Sequence, residues 1–171
     1  MIRAALDAIP ELAYSVSATT RKPRPGEVNG RDYLFLSREK FERWIECGYF
    51  LEWAEYSGNL YGTPNQRVEE MLESGLSVVL EIELQGARKV REDRPEAVMV
   101  FVRPPSIEET RRRLEGRATE TSEALEKRMA TALEEMAARD EFDREVVNAE
   151  REQARKDMIE TLQRIVTGGE A

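Results

Sequence analysis

Histidine is absent from this 171-residue chain, and cysteine occurs once, as Cys47. The first absence removes the commonest general base and metal ligand, and with it the serine and cysteine nucleophiles that work through an imidazole. The second excludes an internal disulfide and any zinc site built on several thiolates. Long apolar runs are lacking too. Nothing approaches the roughly 20 residues that cross a bilayer, and the opening segment Met1 to Leu12 has no apolar core of a signal peptide, so a cytoplasmic protein without a membrane partner is expected. Glycine and proline are scarce, at 10 and 7 residues, which excludes collagen-like and low-complexity chains. Positive charge is in deficit: 26 Lys and Arg against 34 Asp and Glu give a net charge of −8. No nucleic-acid partner is therefore expected, although a local basic patch could still hold a small anion.

What is present suits one α/β domain spanning residues 1–171, with 40% hydrophobic residues to build its core. Ile2, Ala5, Leu6 and Ile9 recur at helical spacing before Pro10. Leu12 to Ser17 and Asp32 to Leu36 read as strands around a loop holding Pro23, Pro25, Gly26 and Gly30. Ser37 caps a helix with Phe41, Trp44 and Ile45 on one face and Gly48 at its end. Strands are predicted over Tyr49 to Tyr56 and at Leu60-Tyr61, then a helix capped by Thr63, with Pro64 at its first position, that ends at Gly75. The apolar run Ser77 to Ile82 predicts a central parallel strand covered on both faces. With a helix near Gln85 to Arg91 and the run Ala97 to Val102, it reads as a strand–helix–strand unit. A capping box at Ser106 to Glu109 opens a helix to about Gly116, a second helix runs from Ser122 to Arg139, Glu145 to Asn148 is a short strand, and Glu150 to Val166 is a closing amphipathic helix.

Two groups of residues point to chemistry. No acidic residue lies between Glu11 and Glu27, whereas Arg21, Lys22 and Arg24 fall together after Ser15, Ser17, Thr19 and Thr20. Guanidinium forks match a phosphate with paired hydrogen bonds, and hydroxyls add directed bonds without charge; the same cluster taken alone also suits a solvated loop. In the second group, strand alternation sets Leu51, Trp53 and Glu55 against Glu52, Ala54 and Tyr56. A carboxylate facing a pocket can accept two parallel hydrogen bonds, which the pairing edge of guanine offers and that of adenine does not. Facing water, Glu52 would be an ordinary polar residue of a half-exposed strand.

Seven blocks in order carry a resemblance: Tyr14 to Glu27, Gly30 to Tyr33, Phe50 to Trp53, Gly58 to Thr63, Leu80 to Gly86, Pro104 to Ser106, and Val146 to Asn148. The chain resembles guanylate kinase over nearly its whole length, from about Ala13 to Asn148. The resemblance implies a P-loop-kinase-like parallel sheet flanked by helices, a small mixed GMP-binding lobe within about residues 12–76, and a helical lid with its hinge within about 106–140. It implies that Arg21, Arg24, Tyr33 and Tyr61 hold the phosphate of GMP and that Ser17, Glu52 and Thr63 read the guanine. Glu83 falls where the family has an acid near the base and the metal. Arg113, Arg117 and Arg128 fall on the lid segment, with Arg117 and Arg128 closing over the transferring phosphoryl group, and Asn148 matches an active-site asparagine. Arg24, Arg117, Arg128 and Asn148 are thus the implied catalytic set, with GMP and ATP as substrates and Mg2+ accompanying ATP. Arg111 and Arg112, among many glutamates, fit a charged surface helix. Composition leaves the oligomeric state open.

The family pattern opens with a strand and a Gly-Lys-Ser/Thr loop that cradles ATP phosphates. None of the ten glycines here is followed by lysine, so this sequence is expected to lack that strand and P-loop, to bind GMP and to turn over poorly. Ala118 stands where the lid often has glycine, and Ala149 where an acid usually follows the asparagine. The alternative to an enzyme is a non-catalytic guanylate-kinase-like binding or scaffold module. Retention of the guanine reader and lid arginines favours the enzyme.

Overall fold

A computed structural model describes residues 1–115 and 122–168. Contacts divide the chain into two compact units, Ile9–Ala97 and, separately, Met1–Ala8 with Val98–Ala171.

In the Ile9–Ala97 unit, strand β1 (Leu12–Tyr14) runs parallel to β6 (Ser77–Val79). A four-stranded mixed sheet has the order β3 (Leu34–Phe35), β2 (Ala18–Thr19), β5 (Asn59–Pro64), β4 (Phe50–Tyr56); β2 and β3 are parallel and the other pairs antiparallel. Helix α2 (Arg38–Glu46) covers one face. Ser37 caps it through Lys40 N–H, and Gly48 leaves it at φ 67°, where a residue without Cβ is unstrained. Phe41 of α2 is fully buried with Ala18 and Leu60, and Leu34, Trp44, Ile45 and Phe50 pack around them. Its ring stacks on Phe50 with centroids 4.4 Å apart, a pairing that contributes about 0.5–1.5 kcal/mol beyond burial. Helices α3 (Asn65–Glu73) and α4 (Leu84–Asp93) complete this unit.

In the other unit, α1 (Ile2–Ala8) packs on α7 (Arg151–Val166) through buried Ala5. Glu150 caps α7 by accepting from Glu152 and Gln153 N–H, and Ala154, Met158 and Leu162 form its buried stripe. β7 (Val100–Arg103) pairs in parallel with β8 (Arg144–Val147), while α5 (Ile107–Glu115) and α6 (Ser122–Ala137) lie between them in sequence. No helix among the described residues is long and apolar enough to cross a membrane.

The mixed α/β architecture agrees with expectation, and three local readings are corrected. The run Ser77 to Ile82 pairs only over Ser77–Val79, each residue half-buried. Its parallel partner is β1, while β7 pairs with β8. Thr63 does not cap α3. Strand β5 continues through Pro64, which itself stands at the cap position, and the Thr63 hydroxyl donates to Glu52 instead, a bond to a buried carboxylate being stronger than one to a solvated amide. Ser106 caps α5 through Glu109 N–H at 3.2 Å, but the Glu109 carboxylate turns to Arg112 and Arg113 and does not close a capping box.

Candidate active site

The mixed sheet sorts its residues by an irregularity in β4. Phe50 pairs with Pro64 and Glu52 with Thr63, so one step on β5 is matched by two on β4 and Leu51 is the extra residue. Cross-strand partners share a face and neighbours along a strand do not. Phe50 and Glu52 therefore lie on opposite faces although plain alternation would put them on the same one. Phe50, Leu60, Gly62 and Ala18 face α2, with Gly62 leaving room for the Phe50 ring. Glu52, Ala54, Tyr61, Thr63 and Thr19 take the other face. Extended by one residue, the β2–β5 register sets Ser17 across from Thr63.

Glu52 is only 5% exposed, and its Oε1 accepts from the Thr63 hydroxyl at 2.6 Å. Burial pushes its carboxyl above the ordinary range, and the Thr63 hydroxyl and backbone N–H pull partly back. Trp53 and Glu55, the other set of the alternation, are exposed. Glu52 is thus the inward acid of the strand, with a side-chain donor already in place. Ser17 is buried beside it in the ladder, its carbonyl accepting from Leu34 N–H at 2.9 Å.

The loop before β3 gathers the phosphate candidates. Arg21 lies over the Tyr33 ring at 5.4 Å and the Phe35 ring at 5.8 Å, and Tyr33 meets Tyr61 edge-on with centroids 6.1 Å apart. The Arg21 fork is engaged by Glu27 through two hydrogen bonds of 3.0 and 2.8 Å. Glu27 also accepts from Arg24 N–H at 2.6 Å, and these bonds hold its carboxyl below the ordinary range. The Arg24 guanidinium makes no ion pair among the described residues. Burial, with the Glu81 carboxylate nearby, raises the Tyr33 phenol, which stays protonated and able to donate at neutral pH. Arg21, Tyr33 and Tyr61 are thus brought together, and Glu52 is brought to Thr63. Glu83 stands at the exposed start of α4.

The second group of predicted residues lies in the other unit. Arg113 donates to Glu109 at 2.8 Å and to the Asn148 carbonyl at 3.0 Å, while Asn148 N–H donates to Arg103 O at 2.7 Å. Arg112 also donates to Glu109, and the two guanidiniums hold that carboxyl down to about 2. A cavity of about 650 Å3 is lined by Arg3, Arg113, Asn148, Arg151 and Arg155, with Asp7 as its acid. Arg128 is half-buried in α6. Arg117 and Ala118 lie outside the described residues.

Sequence reasoning passed over Glu27 as a partner of the phosphate fork, although it is the first acid after the acid-free run. It also passed over Glu81, Arg3, Arg151 and Arg155, whose surroundings no local pattern marks.

The family model for guanylate kinase matches residues 1–165 of the chain. The chain belongs to the guanylate kinase family. Within that family, it is 76% identical over 170 residues to the guanylate kinase of Rubrobacter xylanophilus, covering 99% of this chain and 89% of that one. It is 53% identical over 154 residues to the guanylate kinase of Trichormus variabilis, covering 90% and 77%. The crystal structure of guanylate kinase from Anaplasma phagocytophilum superposes with a TM-score of 0.77 at 35% identity, covering 94% of this chain and 79% of that one. The chain is accordingly a member of an enzyme family, and the sheet face bearing Glu52 is its candidate functional face.

Proposed function

We propose that the protein transfers the terminal phosphoryl group of ATP to GMP, giving ADP and GDP. An oxygen of the GMP phosphate bonds to the γ-phosphorus as the bond to the β-phosphate oxygen breaks, so that positioning and charge stabilisation are the protein's tasks. Guanine is read by Ser17, Glu52 and Thr63 on the inner face of the mixed sheet, with Glu83 nearby, and the phosphate is held by Arg21, Arg24, Tyr33 and Tyr61. The acceptor lobe covers about residues 12–76. ATP is taken by the guanidinium-lined cavity of Arg3, Arg113, Arg151 and Arg155 beside Asn148. Arg117 and Arg128 of the 106–140 segment act on the transferring group, and lid closure excludes water.

Mg2+ supplies charge neutralisation on the ATP oxygens. Glu83, exposed at the start of α4, is the acid that could meet such a cation together with the nucleotide phosphates.

The observation that carries the reading is the buried Glu52 carboxylate, held by Thr63 on the same face as Tyr61. Its two acceptor oxygens complement adjacent ring and amino donors, and an adenine there would set an acceptor against an acceptor. Titration calorimetry with GMP and AMP tests this. GMP should bind and AMP should not, and Glu52→Gln should narrow the preference by roughly tenfold to hundredfold. Equal discrimination by both proteins removes Glu52 from the base site.

A further inference from the structure

Gly86 is the third residue of α4 and is buried. Its backbone is not in the left-handed region reserved for glycine, and helix propensity alone favours alanine there. The missing side chain therefore answers to a neighbour. The three atoms nearest a Cβ built on Gly86 all belong to Glu52: Cδ at 3.0 Å, Cγ at 3.5 Å, and Oε2 closer still, well inside van der Waals contact. Oε1 of the same carboxylate is fixed by Thr63. Thus one oxygen is tied to β5 and the other rests in the space that Gly86 leaves open. Because Gly86 sits on a helix backbone and Glu52 ends in a rotatable carboxylate, an added methyl moves the carboxylate and not the helix.

We propose that Gly86 is a positioning residue for base specificity: its bare Cα seats the Glu52 carboxylate at the angle that meets both guanine donors. The inference rests on the reading of Glu52 as the guanine acceptor. Gly86 itself need not touch the nucleotide. A carboxylate pushed off that seat keeps its charge but loses alignment with one of the two donors, and that loss is what separates GMP from inosine monophosphate, which lacks the exocyclic amino group.

The test is calorimetric binding of GMP and inosine monophosphate to the full chain, with thermal melts of every variant. In Gly86→Ala, GMP affinity should fall roughly tenfold or more while the affinity for inosine monophosphate changes little, so that the ratio between them collapses. In the Glu52→Ala background, where no carboxylate remains to be displaced, Gly86→Ala should leave both affinities and the melting temperature unchanged or slightly improved. The double variant also keeps the proposal testable if Gly86→Ala alone melts below the assay temperature. Two results overturn the proposal while leaving the acceptor-site reading intact: a GMP to inosine monophosphate ratio that survives Gly86→Ala, or an equal loss of affinity in the Glu52→Ala background. If the unmodified chain fails to prefer GMP over inosine monophosphate, the acceptor-site reading falls, and the proposal falls with it.

Discussion

Thr63→Val isolates the contact that holds the buried Glu52 carboxylate. Valine keeps the shape of threonine but removes the hydroxyl that donates to Glu52 Oε1 at 2.6 Å, in a place where Thr63 is 1% and Glu52 5% exposed. A hydrogen bond to a charged group contributes about 1.5–3 kcal/mol, and a neutral one about 1. The Glu52 carboxyl already lies above its ordinary value because burial outweighs the Thr63 bonds. In the window between the ordinary and the raised value, the folded chain keeps a proton that the unfolded chain has released, so stability falls as pH rises through that window. Removing the hydroxyl raises the folded value further and extends the window upward. The variant should therefore lose about 1.5–3 kcal/mol where Glu52 is ionised and no more than about 1 where it is protonated. At this chain length each kcal/mol moves the melting temperature by roughly 2–4 °C, which gives a deficit of roughly 3–12 °C at high pH. Calorimetric melts at about pH 4 and about pH 8 straddle the sequence isoelectric point near 4.9 and avoid precipitation at neutral charge. A deficit of the same size at both pH values would refute the assignment of the bond to an ionised acid, and no deficit would refute the bond.

Charge reversal at Arg24, whose guanidinium has no ion pair among the described residues, should lower GMP affinity by about a hundredfold or more by replacing a donor with a repelling carboxylate; unchanged calorimetric affinity would take Arg24 out of the site. Glu109 should titrate near 2 by carbon NMR, because Arg112 and Arg113 both donate to it. Since that value is depressed, the pair favours the folded α5 above the ordinary carboxylate range and is lost as pH falls toward about 2. In Arg113→Ala the value should climb only part of the way, as Arg112 remains, and ATP affinity should fall by about tenfold; a Glu109 that titrates in the ordinary range before mutation would contradict the geometry.

The helices were legible where their punctuation is local. Ser37 with Gly48, and Glu150 with the Ala154, Met158 and Leu162 stripe, each state a start, a face or a stop within one segment, and the structure keeps them. The alternation of Glu52 against Trp53 was legible for the same reason. What escaped depends on a partner distant in sequence. Thr63 resembles a helix cap until β4 brings an acid from 11 residues earlier under its hydroxyl. The apolar run after Ser77 suits a long central strand, yet its pairing stops at Val79, because β1 offers only three residues in register. Glu27 resembles the solvated end of a loop until the chain turns and sets it in the Arg21 fork. Gly86 looks like a neutral letter in a helix, and only the position of Glu52 gives it meaning.

The surplus residue at Leu51 makes β4 unusually forgiving at one place. Excising Leu51 would leave Phe50 opposite Pro64 and Glu52 opposite Thr63 as regular neighbours, each still on its present side. Excising any residue between Trp53 and Tyr56 would invert everything on one flank of the cut. Shortening this part of the chain thus preserves the facing of the remaining residues at a single position, immediately before the buried acid of the sheet.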